Sequence, residues 1–244
     1  MTDRPPILVP IRVLEGESVP EGVPTLLANA HVVLLGYHVI PEQTAPGQAQ
    51  MQFEERAKDR LDEYEAIFEE AGATVERRLV FTHDGQKTID RTITEHDCLA
   101  VLVPNATGAV EDVFVAVRGT VGVDRLARVV AGVFGAMDAS ITLYHVAENE
   151  ETDEDIGTLL DGLVERLGDR GIDTSTIETR VERDRDPLDA IVDASAAFDV
   201  VVMGETDPSL ATFVFGMPAT QVANRFLGPV LVVQREPAPN QREE

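Results

Sequence analysis

Short apolar runs alternate with amphipathic stretches along nearly the whole chain. The runs "ILVPIR" (7–12), "AHVVLLGYHVIPE" (30–42), "ATVERRLV" (73–80) and "DCLAVLVPN" (97–105) have the length and residue types of strands. Each has a counterpart further on: "VFVAVR" (113–118), "ASITLYHVAEN" (139–149), "STIETRVE" (175–182) and "DVVVMGETD" (199–207). The offset between partners stays between 102 and 107, with Tyr37-His38-Val39 matched to Tyr144-His145-Val146. A spacing held within that narrow range over four pairs reads as an internal duplication.

The intervening stretches follow a helical period. Met51, Phe53, Ala57, Leu61, Tyr64, Phe68 and Ala71 form one stripe within 48–71. Ile156, Leu159, Leu160, Leu163, Val164 and Leu167 form another within 153–170, and a third helix is expected over 122–137. Gly72 and Gly171 stand where C-terminal glycines end helices. In "DRDPLDAIVD", Asp186 as N-cap and Pro187 in the first turn mark a further helix start. Strands alternating with amphipathic helices give βαβ units and parallel sheets covered on both faces. The fold class expected is therefore α/β, with two Rossmann-like doubly wound parallel-sheet domains in tandem. Repeat 1 spans 1–109, repeat 2 spans 110–236, and 237–244 is a polar, acidic tail.

The repeats differ in two ways. Repeat 2 continues past its fourth strand into a helix near 217–227 and a last strand, "GPVLVVQ" (228–234), whereas repeat 1 is truncated by that helix and that strand. Where repeat 2 has its first helix, repeat 1 has "VLEGESVPEGVPTLLANA", with Pro20, Pro24 and two glycines, which predicts a loop and a short helix.

Charge changes the picture. The formal net charge is −24, from 44 acidic and 20 basic residues, and the only lysines are Lys58 and Lys87. The acids are spread over the chain, so they read as a surface rather than a disordered tail. An acidic surface poor in cations excludes binding to a phosphate backbone. The single cysteine, Cys98, rules out an internal disulfide and reads as a buried strand residue rather than a reactive thiol. The most apolar stretch is too short to span a bilayer and no leader precedes the first strand, so membrane insertion is not expected and the location expected is cytoplasmic.

First strands "ILVPI" and "VFVAV", second strands carrying "YHV", and the closing "VVMGE…FLGPVLVVQR" resemble tandem universal stress proteins, over nearly the whole chain and most strongly in repeat 2. The acidic, lysine-poor surface makes the resemblance one to the haloarchaeal type. It implies Rossmann-like domains, of the same class as adenine nucleotide alpha hydrolases, that pair through their last strands, with no catalytic activity. In the nucleotide-binding branch the first strand ends in Asp. Its fourth strand ends in Gly, then a second Gly after two residues, then Gly-Ser or Gly-Thr at the next helix start. Glycines let the backbone approach phosphates and the helix start supplies donors. Here the Asp positions hold Arg12 and Arg118. Gly204 fills the first glycine, but the others fall on Asp207, Met217 and Pro218, with Gly216 a residue early. In repeat 1 the first-glycine position reads as Leu102.

The implied nucleotide contacts are Val117, Arg118, Val146, Gly204, Thr206 and Gly216, and the motif is degenerate. Two readings of function follow. One is a non-enzymatic regulator in stress response, acting on a protein partner or a transporter without ATP or any other cofactor. The alternative is an ATP or AMP sensor working through repeat 2. Arg12 and Arg118 lie where doubly wound sheets hold ligands, and could fork onto an anionic effector or pair with nearby acids such as Glu15 and Glu205. His38 and His145 read as strand-end residues. His83, Asp84, Asp90 and His96 share no clean helical face, so no metal is expected. Nucleophile elbows and phosphate-loop lysines are absent from the sequence. The last strand is expected at a sheet edge. There it either covers "LAVLV" (99–103) of repeat 1 or pairs with its own copy in a homodimer, which is the family habit.

Self-repulsion at −24 weakens the fold in dilute buffer and is screened by salt. The melting temperature is expected to rise steadily from dilute buffer to molar salt; a flat profile across that range would show that the surface charge carries no such cost.

Overall fold

The computed structural model describes residues 4–118, 122–148, 150–204 and 228–235. Nine strands run β1 (Pro6–Arg12), β2 (His31–Val39), β3 (Thr74–Thr82), β4 (Ala100–Val103), β5 (Asp112–Val117), β6 (Ser140–Val146), β7 (Ile177–Glu182), β8 (Val200–Gly204) and β9 (Val230–Val233). Between them lie helices α1 (Val23–Leu26), α2 (Pro46–Ala71), α3 (Gly85–Glu95), α4 (Val123–Phe134), α5 (Asp153–Asp169) and α6 (Pro187–Ser195). The expected helix at 217–227 and the tail lie outside the described residues.

Helix ends follow the sequence signals. Gly72 and Gly171 adopt φ of 110° and 93°, left-handed values that suit glycine, as α2 and α5 end. Asp186 accepts the Asp189 N–H at 3.2 Å and opens α6. Thr152 and Asp155 close a reciprocal capping box on α5. The Pro- and Gly-rich stretch after β1 makes turns and the four-residue α1, as its composition predicted.

All nine strands form one sheet, in the order β3-β2-β1-β4-β9-β8-β5-β6-β7. The order β3-β2-β1-β4 of the first half reappears as β7-β6-β5-β8 in the second. Within each half the pairing is parallel. The last strand joins the halves: β9 runs parallel to β8 and antiparallel to β4, with Val230 opposite Val103 and Val233 opposite Ala100. This corrects the expected edge position. All four β9 residues are buried and both of their hydrogen-bonding edges are taken within the chain, so no second copy can pair there. The strand covers "LAVLV" instead.

Hydrophobic packing differs between the two faces. On one face a single core runs through both halves, from Ile7, Val9 and Phe68 through Leu102, Leu231 and Val233 to Val115, Phe134 and Leu163. On the other face the packing is divided into a cluster around Leu8, Leu35 and Val101 with Ile89 of α3, and one around Phe114, Val201 and Val230 with Ile191 of α6. Alternate residues of β9 serve both faces. The connection from β4 to β5 is pinned across the join. Asn105 Nδ2 donates to the Gly228 carbonyl at 3.1 Å, and Asp199 accepts the Glu111 and Asp112 N–H groups.

Register corrects two matches made on sequence. Ile11 lies beside Gly36 and Arg12 beside Tyr37, whereas Val117 lies beside His145. The Tyr-His-Val triplets are therefore two residues out of step, His145 standing where Gly36 stands in the first half. A slip of two keeps every side chain on its face, so the hydrophobic pattern conceals it. Similarly, Ile7 pairs with Ala100 and Val113 with Val200. Pro104, not Leu102, is thus the counterpart of Gly204, and Leu102 is a fully buried strand residue.

Since every β9 residue bonds to one neighbour or the other, Val232→Pro must delete a ladder bond in the middle of the sheet. A loss of about 3 kcal/mol or more is expected, read by chemical denaturation as one earlier transition for the whole chain. A separate, unshifted transition for the first half would show that the join is not cooperative.

Candidate functional site

Open α/β sheets hold ligands outside the carboxyl ends of their strands. Because β4 and β9 are antiparallel, the carboxyl ends of β1–β4 and of β5–β8 emerge at opposite ends of the sheet. Arg12 and Arg118 therefore head two separate sites and cannot grip one ligand together.

In the first half, Arg12 is engaged by its own neighbourhood. Its Nε donates to the Tyr37 hydroxyl at 3.1 Å and its guanidinium meets Glu15 at 3.2 Å. Its backbone N–H donates to Glu17 Oε2 at 2.7 Å, while the Tyr64 hydroxyl donates to the Glu17 carbonyl at 2.6 Å. The hydrogen bond to Tyr37 and the charge of Glu15 hold the guanidinium above its ordinary pKa, so it stays charged throughout. The loop after β1 is thereby folded over the strand end, with its carboxylates where an anionic ligand would lie. The far end of that loop is fixed too: Thr107 N–H donates to the Glu21 carbonyl, and Gly22, at φ 82°, lies so close to Thr107 that a Cβ would meet its carbonyl oxygen at 2.1 Å.

The second half repeats the theme with different residues. Arg118 lies 3.5 Å from Glu148. His145 is buried; its Nδ1 is 2.9 Å from the Val117 carbonyl and its Nε2 is 2.9 Å from Glu151 Oε2. Both ring nitrogens thus lie within hydrogen-bonding distance of an oxygen. The same Glu151 oxygen accepts the Glu148 N–H at 2.7 Å. Burial alone would push the Glu151 carboxyl up, but the Glu148 N–H and His145 outweigh it, and its pKa is lowered. Val117 and Val146 are buried core side chains, and the Val117 carbonyl is already taken. Gly204 closes β8 with its backbone beside Val233. Thr206 and Gly216 lie outside the described residues, as do Glu205, Asp207, Met217 and Pro218.

The other titratable groups hold local structure. His83 Nδ1 is 3.3 Å from the Ile40 carbonyl, and Asp84 caps α3 by accepting the Lys87 N–H at 3.0 Å. Asp90 accepts from Gln86, and His96, at the opposite end of α3, sits between Glu76 at 3.3 Å and Arg78 at 3.3 Å. Cys98 is buried just before β4 rather than within a strand, and burial, with help from Glu76 and Asp97, pushes its thiol up to about 12. His38 stacks edge-on to Phe53 and Phe81. Sequence reasoning missed Glu17, Glu148 and Glu151, because acids in aperiodic loops of an acidic chain carry no distinguishing signal, and it read Tyr64 only as a core position of α2, without its hydroxyl contact.

Glu151 gives a testable pH dependence. A carboxyl with a depressed folded pKa contributes stability that is fully present above its ordinary value of 4.5 and is lost as pH falls through the lower folded value. Glu151→Gln should thus be less stable than the parent near neutrality, with the difference shrinking below pH 4.5. Denaturation curves at several pH values check this; a deficit that is constant with pH would mean the charge is immaterial.

No family model matches the chain, and no curated protein matches it in sequence. Solved structures do. A universal stress protein of Archaeoglobus fulgidus superposes with a TM-score of 0.61 at 18% identity, over 94% of this chain and 96% of that one. A functionally unknown protein of Pseudomonas aeruginosa PAO1 gives a TM-score of 0.52 at 16% identity, over 96% and 94%. Likeness at these identities is likeness of fold. Among the described residues no helix is long and apolar enough to cross a membrane. The chain has the Rossmann-like α/β fold of universal stress proteins, built on one nine-stranded, mostly parallel sheet.

Proposed function

We propose that this chain is a tandem universal-stress-type protein of the salt-adapted kind, without catalytic activity. It works as a regulatory module on a protein partner or transporter rather than by binding ATP. One observation carries the reading. At both strand ends where such a sheet would hold phosphates, the arginine faces a loop carboxylate, Arg12 with Glu15 of the loop after β1 and Arg118 with Glu148 of the loop after β6. Glu17 and Glu151 then accept the backbone N–H groups of Arg12 and Glu148. A triphosphate would have to displace these acids against like charge. The sequence of the following segment points the same way, with Asp207, Met217 and Pro218 where phosphate-cradling glycines and a hydroxyl would serve.

Thermal melting in molar salt tests it. A ligand at a hundred times its dissociation constant stabilises by about 2.7 kcal/mol, so micromolar affinity is plain at sub-millimolar nucleotide. No shift with ATP or AMP is expected. A clear upward shift would overturn the proposal and assign an adenine-nucleotide sensor to the second half, through Gly204 and the segment that follows it.

A further inference from the structure

The sheet ends in two strands, β3 and β7. On β3 the arginines are committed to flanking helices, Arg77 to Asp62 and Glu65 of α2 and Arg78 to Glu95 of α3. By contrast β7 is bare: Glu178, Thr179, Arg180 and Val181 are all exposed, and the strand has no proline. Its backbone phase is fixed by the Glu182 carbonyl, which accepts the Ala147 N–H beyond β6. Even-numbered residues therefore turn their backbone groups towards β6. The N–H and C=O groups of Ile177, Thr179 and Val181 point outwards, and no described strand meets them.

We propose that β7 pairs antiparallel with β7 of a second copy, about a two-fold axis through Thr179. In that register Thr179 faces Thr179 and Ile177 faces Val181, every one with outward-pointing backbone groups. Glu178 and Arg180 then face each other twice, at the close, non-hydrogen-bonded positions where side chains approach most nearly. Within one chain the same two side chains already pair at 2.9 Å, so the change is only of partner. Other registers fail. An axis at Arg180 sets Arg180 against itself and Glu178 against Glu182; an axis at Glu178 sets Glu178 against itself. An axis at Val181 runs off the strand end at Glu182, and a slip of odd phase opposes outward groups with inward ones. Pairing of the same edge about a two-fold axis is isologous and closes into a dimer. A strand of this length makes a small contact, and each chain carries −24, so the association is weak and is strengthened by salt.

Sedimentation equilibrium from micromolar to millimolar chain, in dilute and in molar salt, tests this independently of any nucleotide. The parent should show a reversible monomer–dimer equilibrium that tightens with salt. Arg180→Glu should weaken it about tenfold by opposing like charges twice, and Glu178→Arg with Arg180→Glu should restore it. Thr179→Pro should abolish it while circular dichroism stays that of the parent, because the N–H removed faces away from the chain's own sheet. A monomer at every concentration in molar salt overturns the proposal. A dimer indifferent to Arg180→Glu and Thr179→Pro, or a charge swap that fails to restore association, overturns it as well.

Discussion

Everything in this molecule depends on the need of a buried strand to have both hydrogen-bonding edges filled. The first half stops at β4, a four-residue apolar strand whose outer edge would otherwise face water. Its own closing strand is missing, and β9 of the second half takes the place, reversed in direction. A single strand thus finishes two half-sheets, and alternate side chains finish the packing above and below. The unequal lengths of the halves make this possible, since two closing strands would each need a place between β4 and β8.

That reversal sets what the strand ends can do. Arg12 and Arg118 are alike in sequence and in strand position, yet they face opposite ends of the molecule and are each turned onto a loop acid. The two ends are not copies. The first is closed by a loop held at Glu17 and Glu21, through Tyr64 and Thr107. The second is ordered through a buried histidine held between Val117 and Glu151. In a chain this acidic, local carboxylates are the commonest partners a strand-end arginine can meet.

Elements with a clear period were legible in the sequence. The α5 stripe, the α2 stripe from Ala57 onward, their terminal glycines and the Asp186 cap lie where composition and spacing put them, whereas Met51 at the start of the α2 stripe is exposed; the α/β class follows from their alternation with strands. Register was not legible. The Tyr-His-Val triplets invite alignment, but strand periodicity is two, and a slip of two costs no buried side chain. The match of Leu102 to Gly204 failed for the same reason. The position of β9 was beyond sequence because an apolar strand that starts with proline reads equally well as an edge or as an interior strand. Glu17 and Glu151 were hidden among 44 acids, and only geometry separates them from the rest.

The join between halves also has a consequence in time. Asn105 and Gly228, which lie side by side, are 123 residues apart in the chain. As the chain leaves the ribosome, β4 is complete long before β9 exists, and closing so long a loop is slow compared with the parallel pairings inside each half. For that interval the nascent first half displays "LAVLV" as an open apolar edge, the feature that invites misplaced pairing during synthesis.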